Sequence, residues 1–556
     1  MIGYLLPSVL ALAESLSAVG ASPIEQRATL ACDTSSIPQP DIFGLTITSL
    51  TAELLTDYLG IPGNDQCNVN ITTTHTGAGD SVNNWLFLPV NNWNGIFQGV
   101  GGGGFVAGFY IDLAAVSAEG YACISTDAGH TSSLLATGDS SSWALISPGN
   151  VDQYAALNFG YRSYHEMTLL GKAITASFYG SPAKYAYWNG CSTGGRQGMS
   201  EAQRFPEDYD GILAEAPAIQ WTDFTFAQQW PFTVMNNENY APLQCEFTAI
   251  NKATIECCDG LDGVMDGIIS APALCDFNPD ILVGKAYTCD TDGTQKTFNQ
   301  KTADIVNLIW QGPRTPQGKF LWYGITKGTN FSTLASTTVA ANGSSVAVAF
   351  PISDTWYRDF VAKQLDFDTA LVTYPEFTQA FLESHLEWDS TFGTYSPNLR
   401  AFKRAGGKLL TWQGLADNLI NPQGTMLYYE KVLALDPTAH TFYRQFYSPG
   451  VGHCGGGTGV TPLNAIGALR AWVENGTAPA TLSAASEYPV GASSAFVTNG
   501  TNVRFLELCP YPMVNKYVSG DLNLATSYEC ARDMGFELFG GPSGTNCSYI
   551  NGPGWY

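Results

Sequence analysis

Three side chains have the types and settings that acyl transfer needs. Gly190-Cys191-Ser192-Thr193-Gly194 reads G-x-S-x-G, after the apolar run Lys184 to Trp188 and before a helical segment. A strand turning sharply into a helix holds such a serine in a strained conformation and lifts its hydroxyl above the sheet, with small flanking residues letting the backbone close. The hydroxyl needs a base, and an imidazole base needs an acid to fix its tautomer and stabilise its cation. Of six histidines, His453 lies in the glycine-rich loop Pro449 to Gly455 after an apolar strand, and Asp417 ends Gly414-Leu415-Ala416-Asp417 after another. The chain order Ser, Asp, His suits a doubly wound sheet. Asp127 and Asp210 are the alternative acids. His75, His165, His385 and His440 suit packing roles better, and His130, just beyond a strand, is placed to support the site from behind.

Cys191 precedes the serine and Cys454 follows the histidine. If Ser192 and His453 come within hydrogen-bond reach, a Cys191–Cys454 bridge becomes feasible and pins nucleophile to base. Cys191 as the nucleophile fares worse, because it points away from the cleft when Ser192 points in. Gly101 to Gly104, after a strand ending at Val100, resemble the glycine-rich oxyanion element of esterases without its histidine. The amides of Gly102, Gly103 and Thr193 are the expected oxyanion donors. A dinucleotide fingerprint fits worse, since these glycines are contiguous and the best acidic candidate, Glu119, falls short of the next strand's end. Asp259, Asp262 and Asp266 stand among glycines in one short run, and hard oxygen donors at that density suit structural Ca²⁺. The spacing is not that of an EF-hand, and with no histidine nearby a catalytic transition metal is disfavoured.

Positioning these groups needs strands alternating with helices. Apolar runs at Trp85 to Val90, Gly95 to Val100, Tyr121 to Thr126 and Tyr185 to Trp188 alternate with helical runs Tyr164 to Phe178 and Arg196 to Arg204. The texture returns with Lys408 to Trp412, Met426 to Leu435 and Thr441 to Tyr447. This predicts an α/β fold with a doubly wound, mainly parallel sheet. The first part of the catalytic domain is placed at 22–215 and its second part, with a loop-rich tail, at 401–556. Residues 216–400, rich in aromatics, cysteines and Asp-Gly turns, read as a large inserted lid domain carrying the calcium loop.

Residues 1–21 read as a secretory signal peptide. Sequons at Asn70, Asn330, Asn342, Asn475, Asn499 and Asn546, with 13 cysteines, agree with an extracellular, oxidising setting. The odd count leaves a thiol over, and Cys123, inside an apolar run, is the candidate for it. A formal net charge of −24, from 25 basic against 49 acidic residues, disfavours nucleic acid and anionic membrane surfaces as partners. No apolar run after the leader is long enough to span a bilayer. The sequence sets no oligomeric state.

Taken together, Gly190-Cys-Ser-Thr-Gly-Gly-Arg-Gln-Gly198, Gln203-Arg-Phe-Pro-Glu-Asp-Tyr-Asp-Gly211, Cys258-Asp-Gly-Leu-Asp-Gly-Val-Met-Asp-Gly-Ile-Ile269 and Gly452-His-Cys-Gly455 resemble the tannase and feruloyl esterase family, over about 65–535. The resemblance implies an α/β-hydrolase with a large lid, a Ser192–Asp417–His453 triad, a Cys191–Cys454 bridge and a lid calcium. The calcium ligands would be Asp259, Asp262 and Asp266 with the carbonyls of Val264 and Ile268. The same resemblance pairs Cys32 with Cys67, Cys258 with Cys275, and Cys509 with Cys530, and leaves Cys245, Cys257, Cys289 and Cys547 unassigned. Expected substrates are small phenolic esters or feruloylated saccharides, with gallate esters as the alternative. A non-catalytic phenolic-binding protein and a serine peptidase are the readings from other classes. Trp221, Phe224, Phe226, Trp230, Phe232, Trp356 and Tyr357 offer ring surface, although packing in the lid core is the plainer role for any one of them.

Overall fold

The computed structural model describes residues 30–130, 133–486 and 503–532. The leader, Asn499, Asn546 and Cys547 lie outside these residues.

Nine strands form one sheet: β1 (Thr46–Leu55), β2 (Gln66–Thr74), β3 (Val82–Pro89), β4 (Ile96–Val100), β5 (Ala122–Thr126), β6 (Tyr185–Cys191), β7 (Gly211–Glu215), β8 (Lys408–Gly414) and β9 (Tyr443–Ser448). Their spatial order is β1-β2-β3-β5-β4-β6-β7-β8-β9. From β5 to β9 every pairing is parallel, and β1, β2, β3 and β5 pair antiparallel. β4, β5 and most of β7 to β9 are buried, as strands covered on both faces must be. The helices Ser163–Tyr179 and Thr193–Arg204 pack on the sheet, so the chain is α/β with a mainly parallel sheet.

The sequence left β1, β2 and β7 unread. In β1 only Leu50 is buried, so it lacks the period-two stripe that marks a half-buried strand.

β7 and β8 are sheet neighbours, with Gly211 opposite Lys408, so residues 216–407 leave and rejoin the sheet between adjacent strands. Most of this segment's apolar residues form one cluster. Trp221, Phe224, Phe226, Trp230, Trp356 and Tyr357 are buried in it, and Phe232 is buried outside it. Phe226 lies 5.0 Å from Tyr357 and from Phe377, and Trp356 stacks on Phe360 at 4.5 Å. These rings form the core of that segment. The tail, expected to be loop, contributes strands at Leu482–Ala485, Phe505–Leu508, Met513–Tyr517 and Tyr528–Arg532.

Disulfides join Cys32–Cys67, Cys245–Cys289, Cys258–Cys275 and Cys509–Cys530. Cys257 is also disulfide-bonded, and Cys123 is a free, buried thiol whose pKa burial raises. His130 stacks on Trp143 with ring centroids 4.0 Å apart, and burial holds its pKa down to about 3 from 6.5. The unfolded chain therefore binds a proton there more readily than the folded protein between those values. Stability rises with pH through that window and falls as pH drops. His130→Phe keeps a ring on Trp143 and removes the ionisation. The expected outcome is a relative gain of about 2–3 kcal/mol at pH 4.5 over pH 7, read as a smaller Tm difference between the two pH values by calorimetry.

Candidate active site

Ser192 joins β6 to the helix Thr193–Arg204 with φ 63° and ψ −121°. A residue bearing a Cβ holds such a conformation at a cost of about 1–3 kcal/mol, and only where its surroundings over-determine it. Here the Ser192 amide donates to the Glu215 carbonyl at 3.0 Å, and its own carbonyl accepts from the amides of Arg196 (2.9 Å) and Ala218 (3.0 Å). The glycines are steric requirements. A Cβ on Gly190 would fall 2.7 Å from the Gly194 backbone, one on Gly195 would fall 2.5 Å from the Glu215 carbonyl, and one on Gly101 would fall 2.4 Å from the Gly194 Cα.

His453 and Asp417 come together beyond the ends of β9 and β8. His453 Nδ1 lies 3.0 Å from Asp417 Oδ2 and 3.1 Å from Oδ1. The Asp417 side chain is fully buried and accepts from the amides of Leu419 and Ile420 at 2.9 Å and from Gln413 Nε2 at 3.0 Å. An acceptor so supplied with donors is a carboxylate, so His453 Nδ1 carries the proton and Nε2 is left with a lone pair. Among the described residues neither Ser192 Oγ nor His453 Nε2 has a hydrogen-bond partner. The Ala416 amide donates to the Val451 carbonyl at 3.0 Å, which locks the aspartate loop to the histidine loop. A disulfide joins Cys191 to Cys454 with Cα atoms 6.0 Å apart, which ties the residue before Ser192 to the residue after His453.

The alternative acids are engaged elsewhere. Asp127 accepts from Asn83 and Gly129, and Asp210 from the Ala186 amide. Four of the remaining histidines are engaged elsewhere as well. His75 bridges Asp80 and Glu166, His165 pairs with Asp208, and His385 pairs with Asp223. His130 packs among aromatic rings.

The oxyanion expectation needs correcting. The Gly102 amide donates to Gln197 Oε1 at 3.1 Å and the Gly103 amide to the Val106 carbonyl at 3.0 Å, so neither is open to a substrate oxygen. The amides of Thr193 and Gly104 donate to nothing among the described residues. Thr193 Oγ1 joins the two segments by donating to the Gly104 carbonyl at 2.7 Å. Gln197, unnoticed in the sequence, also donates from Nε2 to the Ala107 carbonyl at 2.9 Å. It thereby fixes the glycine loop from one turn inside the nucleophile's helix.

In the acidic loop, Asp259 accepts from the amides of Asp266 (2.9 Å) and Gly267 (3.0 Å), and Asp262 from Val264 (3.0 Å). Burial raises the pKa values of Asp262 and Asp266, and their fellow carboxylates raise them further, against one nearby cation, Arg504, 2.8 Å from Asp266. The carbonyls of Val264 and Ile268, both buried residues, accept no hydrogen bond among the described residues. Clustered carboxylates with idle carbonyls are a donor set that fits a hard cation.

A model of the family described as Tannase and feruloyl esterase matches residues 67–531. A probable feruloyl esterase of Arthroderma benhamiae is 39% identical over 96% of this chain and 98% of its own length. A mono(2-hydroxyethyl) terephthalate hydrolase of Piscinibacter sakaiensis is 30% identical over 80% of this chain and 81% of its own. Among solved structures, tannin acyl hydrolase from Aspergillus niger matches with a TM-score of 0.79 at 26% identity, covering 91% of this chain and 97% of that one.

Opening the bridge beside the site tests how far it sets the alignment. The Cys191→Ala/Cys454→Ala variant is expected to remain folded on its other disulfides and to lose about 2–5 kcal/mol of stability. Its kcat on p-nitrophenyl acetate should fall by about ten- to a hundredfold, with a smaller change in KM. An unchanged kcat would show that the loops align without it.

Proposed function

The chain belongs to the tannase and feruloyl esterase family and is a carboxylic ester hydrolase; on that premise we propose that it releases hydroxycinnamic acids such as ferulic acid from esters on plant cell-wall saccharides. The observation that carries the chemistry is the buried Asp417 carboxylate on His453 Nδ1, with the Cys191–Cys454 bridge tying the loop of His453 to the turn of Ser192. In the proposed mechanism His453 Nε2 takes the Ser192 proton as Oγ attacks the ester carbonyl. The oxyanion rests on the amides of Thr193 and Gly104. His453 then returns the proton to the departing alcohol oxygen, leaving an acyl-serine, and a water activated by the same imidazole releases the acid. The hydroxycinnamate preference is supported by the 39% identical relative. The match to a tannin acyl hydrolase favours gallate as the second reading.

Secretion is part of the same proposal, supported by the leader and the disulfides. The asparagines proposed to carry glycans include Asn330, Asn342 and Asn475, which are exposed, and Asn70, half-buried in β2. Among the described residues no helix is long and apolar enough to cross a membrane. Ca²⁺ held by Asp259, Asp262, Asp266 and the carbonyls of Val264 and Ile268 is proposed as structural, neutralising carboxylates that otherwise repel one another.

Hydrolysis of methyl ferulate, methyl caffeate and methyl gallate tests the substrate class, with the two cinnamates expected to be turned over faster. Ser192→Ala should lower kcat by about 10⁴-fold or more, and a near-normal rate would remove the serine mechanism. Chelation by EDTA is expected to lower the Tm, and added Ca²⁺ to restore it. Asp262→Asn should weaken that restoration, and a Tm indifferent to chelator would dismiss the metal.

A further inference from the structure

We infer that His165, Glu201 and Asp208 form a binding site for a divalent transition-metal ion of the Zn²⁺ type, separate from the acidic loop and from the triad. The three residues come from three elements: the helix Ser163–Tyr179, the helix Thr193–Arg204 that follows Ser192, and the turn at 205–209 that leads into β7. One donor atom from each, an imidazole nitrogen and two carboxylate oxygens, lies within 4.8 Å of the other two. Around a tetrahedral zinc such atoms stand about 3.3 Å apart, so small side-chain rotations close the set.

Glu201 is the residue that asks for a ligand. Its side chain is completely buried, and neither carboxylate oxygen has a hydrogen-bond partner among the described residues. A buried carboxyl left without donors is costly. What it faces is another acceptor, the Asp208 carboxyl, and burial together with that neighbour pushes the Glu201 pKa well above its ordinary value. The nearby ammonium group does not relieve it. Lys172 Nζ donates to the Asp208 backbone carbonyl and lies 5.3 Å from the centroid of the Tyr209 ring, and among the described residues it forms no ion pair with Glu201. Two carboxylates against one ammonium leave a net negative charge for a cation to meet.

His165 supplies the selectivity. Its Nδ1 lies 2.6 Å from Asp208 Oδ2, and its ring is oriented by stacking on Phe205 with centroids 3.8 Å apart. One imidazole with two carboxylates suits zinc and its neighbours, whereas Ca²⁺ takes oxygen ligands. The His165 side chain is 26% exposed and that of Asp208 11%, so the ion enters from the His165 side and water completes its coordination there. Binding requires Nδ1 to offer its lone pair, with the ring proton carried on Nε2. Once bound, the ion ties the helix that follows Ser192 to a second helix and to the entry into β7.

The experiment is a calorimetric titration of Zn²⁺ into the metal-stripped full chain held in excess Ca²⁺, which keeps the acidic loop out of the measurement. The wild type is expected to take up one ion with a Kd in the micromolar range or tighter, and to gain a few degrees in Tm. Glu201→Gln keeps the buried shape and His165→Phe keeps a ring on Phe205; in each, affinity should fall by at least about tenfold. Turnover of methyl ferulate, followed alongside, separates this site from the triad: activity should persist with the ion bound, and its loss in step with binding would move the zinc to His453 and refute the site. No uptake by the wild type, which leaves Glu201 a protonated buried acid, or undiminished uptake by both folded variants, would overturn the inference. Should the variants not fold, the X-ray absorption spectrum of the zinc-loaded wild type decides. One imidazole among oxygen ligands, with activity retained, supports the site, and sulfur or several imidazoles refute it.

Discussion

The left-handed backbone at Ser192 is the constraint around which the site is arranged. A φ of 63° on a residue with a Cβ is unfavourable by itself, so the neighbouring segments must hold it there. The Glu215 carbonyl and the Ala218 amide, on the next strand's exit, fix the serine's backbone from one side. The glycine loop after β4 closes from the other, near enough that no side chain fits at Gly101 or Gly190. G-x-S-x-G is thus one half of a contact whose other half, Gly101 to Gly104, lies a long way upstream.

The helix that follows the serine shows the same economy with charge. Arg196 is fully buried and forms no ion pair among the described residues. Its guanidinium lies 4.9 Å from the ring of Phe159 and 5.3 Å from that of Trp221, and donates at 3.0 Å to the carbonyls of Phe159 and Gly160. Those carbonyls belong to a π-helical turn, Asn158–Arg162, where the wider hydrogen-bond pattern leaves backbone oxygens free for other donors. Burial lowers the guanidinium's pKa to about 10, which leaves it charged at neutral pH. The helix that follows Ser192 is therefore anchored to the aromatic core by a cation that satisfies backbone rather than a carboxylate.

Much of this was legible in the sequence because it is local. Ser192, Asp417 and His453 each follow a strand within a few residues, and the short loops carry their own glycines. The central strands were readable as compact apolar runs. Elements defined by partners far along the chain were not. β7 is a five-residue run that reads as the end of a motif until β6 and β8 are seen on either side of it. Four glycines in a row cannot say which amide is free; Gln197 decides that, and its role depends on the approach of two segments. Aromatic composition has the same weakness, since Trp221 and Trp356 look alike as pocket wall and as core until burial is known.

Residues 216–407 bear directly on the candidate site. A Cβ on Gly450 would meet Ile268, just past the acidic loop, at 3.0 Å, so the turn that carries His453 packs directly on that segment. Asn418, next to Asp417, reaches Thr333, and Arg504 from the tail holds Asp266. His453 is consequently located by three parts of the chain: the sheet that ends beneath it, the bridge to Cys191, and the 216–407 segment pressed against its loop. A loop of five glycines between Gly450 and Gly457 would otherwise be among the most mobile stretches of the molecule. Its support from residues 216–407 also forms walls of a cavity beside the imidazole, so the contacts that hold His453 in place also shape that cavity.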